Sequence, residues 1–414
     1  MKDLKDRLFW VAGEEEIKNG KTTDVYLNYA NRVLQVKGID PVVIMEVYAR
    51  SLPKPWNWGI LTGVYEAAKK LEGLPLDVTA MDEGELFFPS AGAIYEPVLQ
   101  VHGRYQVMCE HENSILGLLC KSTGISSRSA RVRVAAGKKK VLSFGTRRAH
   151  PALAPTVERA AFIGGLDKVS NVLGAELLGE TPVGTMPHSL IICFEDEAEC
   201  WKAFDEVLEH EIPRIALIDT YGDEKASALK AWRILGDKLF AVRIDTVSSR
   251  RGNLKQILEE VRWELNTHGA HKVKIVLSGG LDEFSVHEVR DLVDSFGVGT
   301  SIADAPAVDF SMKIVEKEEG NRFCAKRGDI SGAKQVYRNW QEMKDVVTLA
   351  ENSAPEGYVP LLKPVLKNGK IVGKFGNVRD IRKSVIEKLS NLPESYRNLF
   401  SRVPAPITWK TGEV

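Results

Sequence analysis

Cysteine is scarce and unpatterned: the five in 414 residues, Cys109, Cys120, Cys193, Cys200 and Cys324, form no CxxC pair, which speaks against a disulfide framework or a zinc ribbon. Neither sign of charge is in excess. Lys plus Arg and Asp plus Glu stand at 56 each, so no global basic field draws the chain to nucleic acid or an anionic membrane, and any phosphate site has to be local. Long apolar runs are missing too, none approaching the roughly 18 residues of a membrane span. The N-terminal MKDLKDRLFWVAGEEEIK mixes charges where a signal peptide would be apolar. The expectation is a cytoplasmic protein that partners neither nucleic acid nor membrane. GxSxG, HExxH and GxGxxG are also absent, which argues against an esterase, a zincin and a dinucleotide-binding dehydrogenase. Asn19-Gly20-Lys21-Thr22 resembles the end of a P-loop, but the glycine required ahead of it is missing and no strand leads into it. His268 and His271 have the spacing of a metal pair, yet they precede a strand, so a surface role is favoured.

What is present suits a globular enzyme. With 44% hydrophobic and 27% charged residues, the chain can fill a core and prompts an expectation of about two or three domains. Residues 14–115 alternate helical patterns with turn-rich β-like pieces and read as an α+β module. From about residue 117, short apolar runs alternate with amphipathic helices, the pattern of βα units around a parallel sheet. The strand candidates are Pro182–Met186, Arg214–Asp219, Phe240–Asp245, Lys272–Leu277 and Phe296–Ile302. Between them, Ala198, Trp201, Phe204, Val207 and Leu208 share one helical face; Leu254, Ile257, Leu258, Val261 and Leu265 share another; Val286, Val289, Leu292 and Val293 a third. Beyond Gly332 the chain is polar and Pro-interrupted, with PVLKNGKIVGKFG reading as a hairpin and IRKSVIEKLSNLPESYRNLF as one helix. The expected fold class is α/β, an irregular parallel α/β barrel with an N-terminal α+β module and a C-terminal extension. The expected boundaries are 1–116, 117–335 and 336–414, part of the last completing the first.

In such a fold chemistry concentrates at the strand ends. Those ends carry Thr185 to His188, Asp219, Arg243 and Asp245, Ser278-Gly279-Gly280, and Gly297-Val298-Gly299-Thr300. Glycine turns ahead of helices let backbone N–H groups approach a phosphate, so Ser278, Gly279, Gly280, Gly297, Gly299 and Thr300 are candidate phosphate contacts, with a plain tight loop as the alternative. Asp219 and Asp245 offer hard oxygens for Mg2+ on a diphosphate, or for stabilising a developing cation; helix capping is their alternative. Phe144-Gly145-Thr146-Arg147-Arg148-Ala149-His150 offers guanidinium forks for carboxylate or diphosphate oxygens, or else a solvated basic loop.

Taken in order, Thr23-Asp24-Val25-Tyr26, EGELFFP (Glu83 to Pro89), the Thr123–Gly137 segment, FGTRRAHP, GGLDKVSNVLG, GTMPHS, RIDT, LSGGLDE, FGVGTSI and KRGDISGAKQVYR resemble the nicotinate phosphoribosyltransferases of the type II phosphoribosyltransferase group. The resemblance spans about the first 340 residues. It implies transfer of phosphoribose from 5-phosphoribosyl-1-diphosphate to nicotinate, with Mg2+ and ATP as coupled substrate, in a homodimer with shared active sites that serves NAD biosynthesis. It further implies that Phe144 stacks one face of the pyridine ring and Tyr26 of the neighbouring subunit the other, that Arg147 pairs with the nicotinate carboxylate or the diphosphate, and that His188 accepts phosphate from ATP. Asp219, Arg243 and Asp245 would surround ribose, diphosphate and Mg2+, and Gly279, Gly280, Gly297 and Gly299 would serve the 5′-phosphate. Ser170 and Asn171 would line the pyridine pocket, and Lys334 and Arg338 would reach the diphosphate. Relatives with a cysteine-rich knuckle carry it in the C-terminal region, where this chain has only Cys324, so no structural zinc is expected. Asp167 keeps a nicotinamide-preferring alternative open, a quinolinate enzyme would need an extra cation, and a non-catalytic phosphate or nucleotide sensor is the alternative of another class.

Overall fold

Apolar runs too short for helices become the strands of a buried parallel sheet, because both faces of such a sheet are covered by the crossover helices. The computed structural model describes residues 8–246, 249, 252–318, 320 and 324–410 and divides into two units, 1–127 with 306–414, and 128–305. In the second unit six strands, β1 (Lys140–Ser143), β2 (Lys168–Val169), β3 (Arg214–Leu217), β4 (Leu239–Ile244), β5 (Lys274–Leu277) and β6 (Ser295–Val298), lie in the order β2-β1-β6-β5-β4-β3. Every neighbouring pair is parallel. The expected α/β barrel is thus a curled sheet whose ladder runs from β2 round to β3 without closing among the described residues.

The opening has a sequence cause. Pro182–Met186, expected as a strand, is irregular; Pro182 has no N–H to donate, and the segment follows β2 through the bond from Val183 N to Val169 O at 3.0 Å. β1 and β2 were not anticipated, the first masked by the lysines before it and the second only two residues long. The crossover helices fit expectation better. Asn253 caps Leu254–Thr267 by accepting from Gln256 N, and Leu258, Val261 and Leu265 of its apolar stripe are buried. Phe296–Ile302 is divided: β6 ends at Val298 and Thr300–Ala303 starts a short helix.

In the first unit a six-stranded antiparallel sheet takes the order Phe310–Lys317, Val42–Ala49, Pro97–Arg104, Asp77–Ala80, Lys363–Lys367, Lys370–Ile371. Two expectations are corrected here. The boundary expected at 116/117 falls at 127/128, inside the helix Glu112–Ala136, and the stretch 306–335 leaves the barrel for the first unit. Its strand Phe310–Lys317 pairs with Val42–Ala49, while Lys363–Lys367 from the C-terminal segment pairs with Asp77–Ala80. The C-terminal helix stops at Asn391 and resumes as Glu394–Arg397, because Pro393 lacks the N–H needed to continue it. Among the described residues no helix is long and apolar enough to cross a membrane.

Candidate active site

The carboxyl ends of β3, β4 and β5 bring together a charged cluster around Arg243. Its Nε donates to Ser278 Oγ at 2.8 Å, Nη1 to Thr185 Oγ1 at 2.6 Å, and Nη2 to Asp245 Oδ2 at 3.0 Å. Asp245 also accepts from Ser278 Oγ at 2.9 Å, and its own N–H donates to Asp219 Oδ2 at 3.0 Å. His188 opens the helix His188–Phe194. Its Nε2 lies 3.6 Å from Asp245 Oδ2 and 4.0 Å from Asp219 Oδ1, while Nδ1 meets Thr220 Oγ1 at 3.1 Å. A cavity of about 610 Å³ opens between His188, Asp219, Thr220, Glu224, Asp245 and Thr246.

Burial pushes the Asp219 carboxyl above its usual range, against the pull of His188 and the Asp245 N–H. Its Oδ1 is buried without a hydrogen-bond partner. Such an oxygen is costly to leave unmet. Among the described residues no group of three or more His, Cys, Asp or Glu side chains forms a metal cage.

Phe144 follows β1, and the Arg243 guanidinium carbon stands 5.6 Å from the centre of its ring. Here one phosphate candidate changes role. Gly297 lies inside β6 rather than in a turn, and a Cβ there would stand 2.3 Å from Phe144 Cε2; the glycine makes room for the ring. Gly297→Ala is therefore expected to displace Phe144 and to destabilise the fold by about 1–3 kcal/mol as overpacking does, measured by urea unfolding. Gly279 and Gly280 do form a turn, with φ of 91° and 66° that only glycine takes readily. Gly299 precedes Thr300–Ala303, and Thr300 Oγ1 accepts from Arg148 Nε at 3.3 Å. Arg147 is exposed.

Ser170 and Asn171 leave β2 next to Phe144, since Ser143 pairs with Val169 in the ladder. The Asn171 side chain caps Val172–Leu178 through Gly174 N at 2.9 Å. Beneath them sits Glu158, whose carboxyl burial pushes up while Ser143, Asn171 and Ser170 pull it back. Sequence reasoning passed over Glu158 and Thr220; the signal for the first was one acid on the apolar face of a short helix.

Two basic candidates are corrected. Lys334 is 1% exposed and donates to Glu46 Oε2 at 2.8 Å, Tyr95 OH at 2.9 Å and Gly332 O at 2.9 Å. Arg338 is fully buried, with Asp345 Oδ1 at 2.7 Å, Oδ2 at 2.5 Å and Glu85 Oε1 at 3.2 Å. Their charges are spent inside the first unit, leaving no cation to offer a diphosphate. Asp167, the residue that kept nicotinamide open, precedes β2 at the end away from the cluster, where it accepts from Arg133 Nη1 and Val141 N, both at 2.8 Å. Tyr26 is 55% exposed on Val25–Lys37, in an apolar stripe with Val25, Tyr29, Val33 and Val36.

Residues 24–123 match the model of the quinolinate phosphoribosyl transferase N-terminal domain and residues 125–313 that of its C-terminal domain. A nicotinate phosphoribosyltransferase of Mycobacterium tuberculosis is 30% identical over 338 residues, covering 78% of this chain and 70% of that protein. A crystal structure described as nicotinate-nucleotide pyrophosphorylase from Pyrococcus furiosus is 51% identical, with a TM-score of 0.89 over 93% of this chain and 98% of its own. Human nicotinic acid phosphoribosyltransferase shares the fold at 20% identity, with a TM-score of 0.76 over 94% of this chain and 97% of its own.

Proposed function

The chain belongs to the nicotinate phosphoribosyltransferase family, on quinolinate-type N- and C-terminal domains, and from that premise we propose that it joins nicotinate to the phosphoribosyl group of 5-phosphoribosyl-1-diphosphate, with ATP as a coupled substrate, for NAD biosynthesis. The observation that carries the proposal is the Arg243–Asp245–Ser278–His188 cluster at the strand ends. In this reaction the pyridine nitrogen forms a bond to the anomeric carbon as the bond to diphosphate breaks, so positive charge grows on the ribose and negative charge on the leaving group. Groups held in place before the reaction meet both changes at little reorganisation cost. Asp219 and Asp245 answer the ribose charge, and Arg243 answers the diphosphate. Arg147 would take the nicotinate carboxylate, whose charge a planar guanidinium matches with two parallel hydrogen bonds.

Asp219 and Asp245 would hold Mg2+, hard carboxylate oxygens being what that ion takes, and the Asp219 oxygen that has no hydrogen-bond partner suits it best. When bound it would neutralise charge on the departing diphosphate. The 5′-phosphate would lie against the Ser278–Gly280 turn and the Gly299–Thr300 backbone. A homodimer is favoured by the exposed stripe of Val25–Lys37, which a second copy would cover while lending its Tyr26 to the ring. His188 is the acceptor proposed for the ATP γ-phosphoryl group: a ring nitrogen forms the N–P bond as the bond to the β-phosphate oxygen breaks and ADP leaves.

The test supplies Mg2+, 5-phosphoribosyl-1-diphosphate and nicotinate, nicotinamide or quinolinate, each with and without ATP, and quantifies mononucleotide and diphosphate. Nicotinate mononucleotide formed with one diphosphate, faster with ATP, is the expected result. Product from quinolinate alone would move the assignment to the second reading that the matched domains favour, and no product from any base would return the scaffold to a phosphate-binding role.

A further inference from the structure

Glu158 is a buried acid for which the transfer scheme has no direct use. It sits on Ala154–Ile163, the crossover helix from β1 to β2, at 0% exposure. A carboxylate removed from water is costly unless donors meet it; Ser143 also draws on this one and its Oε2 is buried without a hydrogen-bond partner, while the donors to its other oxygen belong to one turn. Its Oε1 accepts from Asn171 N at 3.0 Å, Ser170 N at 3.2 Å and Ser170 Oγ at 3.5 Å. The Ser143–Val169 register sets Phe144 and Ser170 side by side as they leave the sheet. The helix that follows closes onto the acid: Gly174 lacks a Cβ where one would stand 2.9 Å from Glu158 Cγ. The glycine is buried and helical, a position where alanine would otherwise be preferred.

We infer that Glu158 is a positioning residue for the pyridine substrate: it clamps the Ser170–Asn171 turn beside Phe144 and so sets the width of the ring slot without touching substrate. The inference rests on the transferase reading above. It differs from a purely structural role in what it moves. A structural role would lower stability and leave the two substrates' KM values alone, whereas a slot-setting role acts on the pyridine and spares 5-phosphoribosyl-1-diphosphate, whose proposed contacts are at β3 to β6.

Steady-state kinetics on the full chain and on Glu158→Ala, Glu158→Gln and Gly174→Ala decide the matter, with KM measured for each substrate separately. Glu158→Ala is expected to raise the nicotinate KM at least about tenfold with the diphosphate substrate's KM held within about twofold, since small misplacements of a binding slot carry effects of that size. Glu158→Gln keeps an acceptor oxygen for the two amides and should restore the nicotinate KM to within about threefold of the parent. Gly174→Ala keeps the acid but crowds it, and should shift the nicotinate KM in the same direction; if Glu158→Ala fails to fold, this variant decides. Turnover by the parent chain with an unmoved nicotinate KM in Gly174→Ala and in the foldable Glu158 variants overturns the inference alone. No turnover by the parent with any of the three bases overturns the transferase reading and the inference with it.

Discussion

Asp245→Asn is expected to lower kcat for nicotinate mononucleotide formation by about 10²- to 10³-fold, the range seen when one preorganised electrostatic contact to a transition state is lost. The side chain accepts from two donors, Arg243 Nη2 at 3.0 Å and Ser278 Oγ at 2.9 Å, and His188 Nε2 faces it at 3.6 Å. Asparagine keeps the shape and loses the charge. Arg243 then stands without its anion, the ribose cation would lose one of the two carboxylates proposed to answer it, and the half-exposed imidazole faces Asp219 alone. Because Asp245 is itself 22% exposed, the variant should remain folded, and circular dichroism with a thermal scan checks that. A kcat within threefold of the parent, at saturating substrates, would remove Asp245 from the chemistry and leave it a structural partner of Arg243.

Arg338→Ala should have the larger effect on stability, a loss of about 3–5 kcal/mol in urea unfolding, as expected when one partner of a buried ion pair is removed. Burial works against the guanidinium charge, but Asp345, Glu96 and Glu85 outweigh it and hold the Arg338 pKa above its ordinary value. Burial, and then Asp345, already push Glu96 well above the carboxylate range. Arg338 is what pulls Glu96 back down, so without the cation Glu96 binds its proton more tightly still in the fold. A group with a raised folded pKa favours the fold below its unfolded pKa and loses that contribution as pH rises through the folded value. The variant should therefore be worst at neutral to alkaline pH, and its deficit should narrow as the pH is lowered through the carboxylate range. A deficit that does not change with pH would mean that lost packing on Phe88 and Trp340, whose ring centres lie 5.3 and 4.9 Å from the guanidinium carbon, outweighs the charge.

Lys334 and Arg338 also mark where sequence reading stopped. Both sit in a segment of KRGDISGAKQVYR that reads as basic, and nothing local says that Glu46 or Glu85 waits for them across some 250 to 290 residues. Gly297 and Gly299 look alike in FGVGT, yet one is a strand residue giving way to Phe144 and the other precedes a helix. The difference lies in which strand lies alongside, here β1.

The sequence by itself determined the alternation of short apolar runs with amphipathic helices, and with it the parallel sheet. It also determined which polar residues end or follow those runs: His188, Asp219, Arg243, Asp245 and Ser278. Both are local properties, written in spacing and in the residue that comes next. Only the tertiary structure decided what each residue meets. It joined residues 306–335 and the C-terminal strand to the N-terminal unit, buried Lys334 and Arg338, turned Asp167 away from the cluster, and set Glu158 beneath Ser170 and Asn171. The physical reason is that burial and charge pairing depend on distances through space between residues far apart along the chain, and those distances exist only once the sheets have formed.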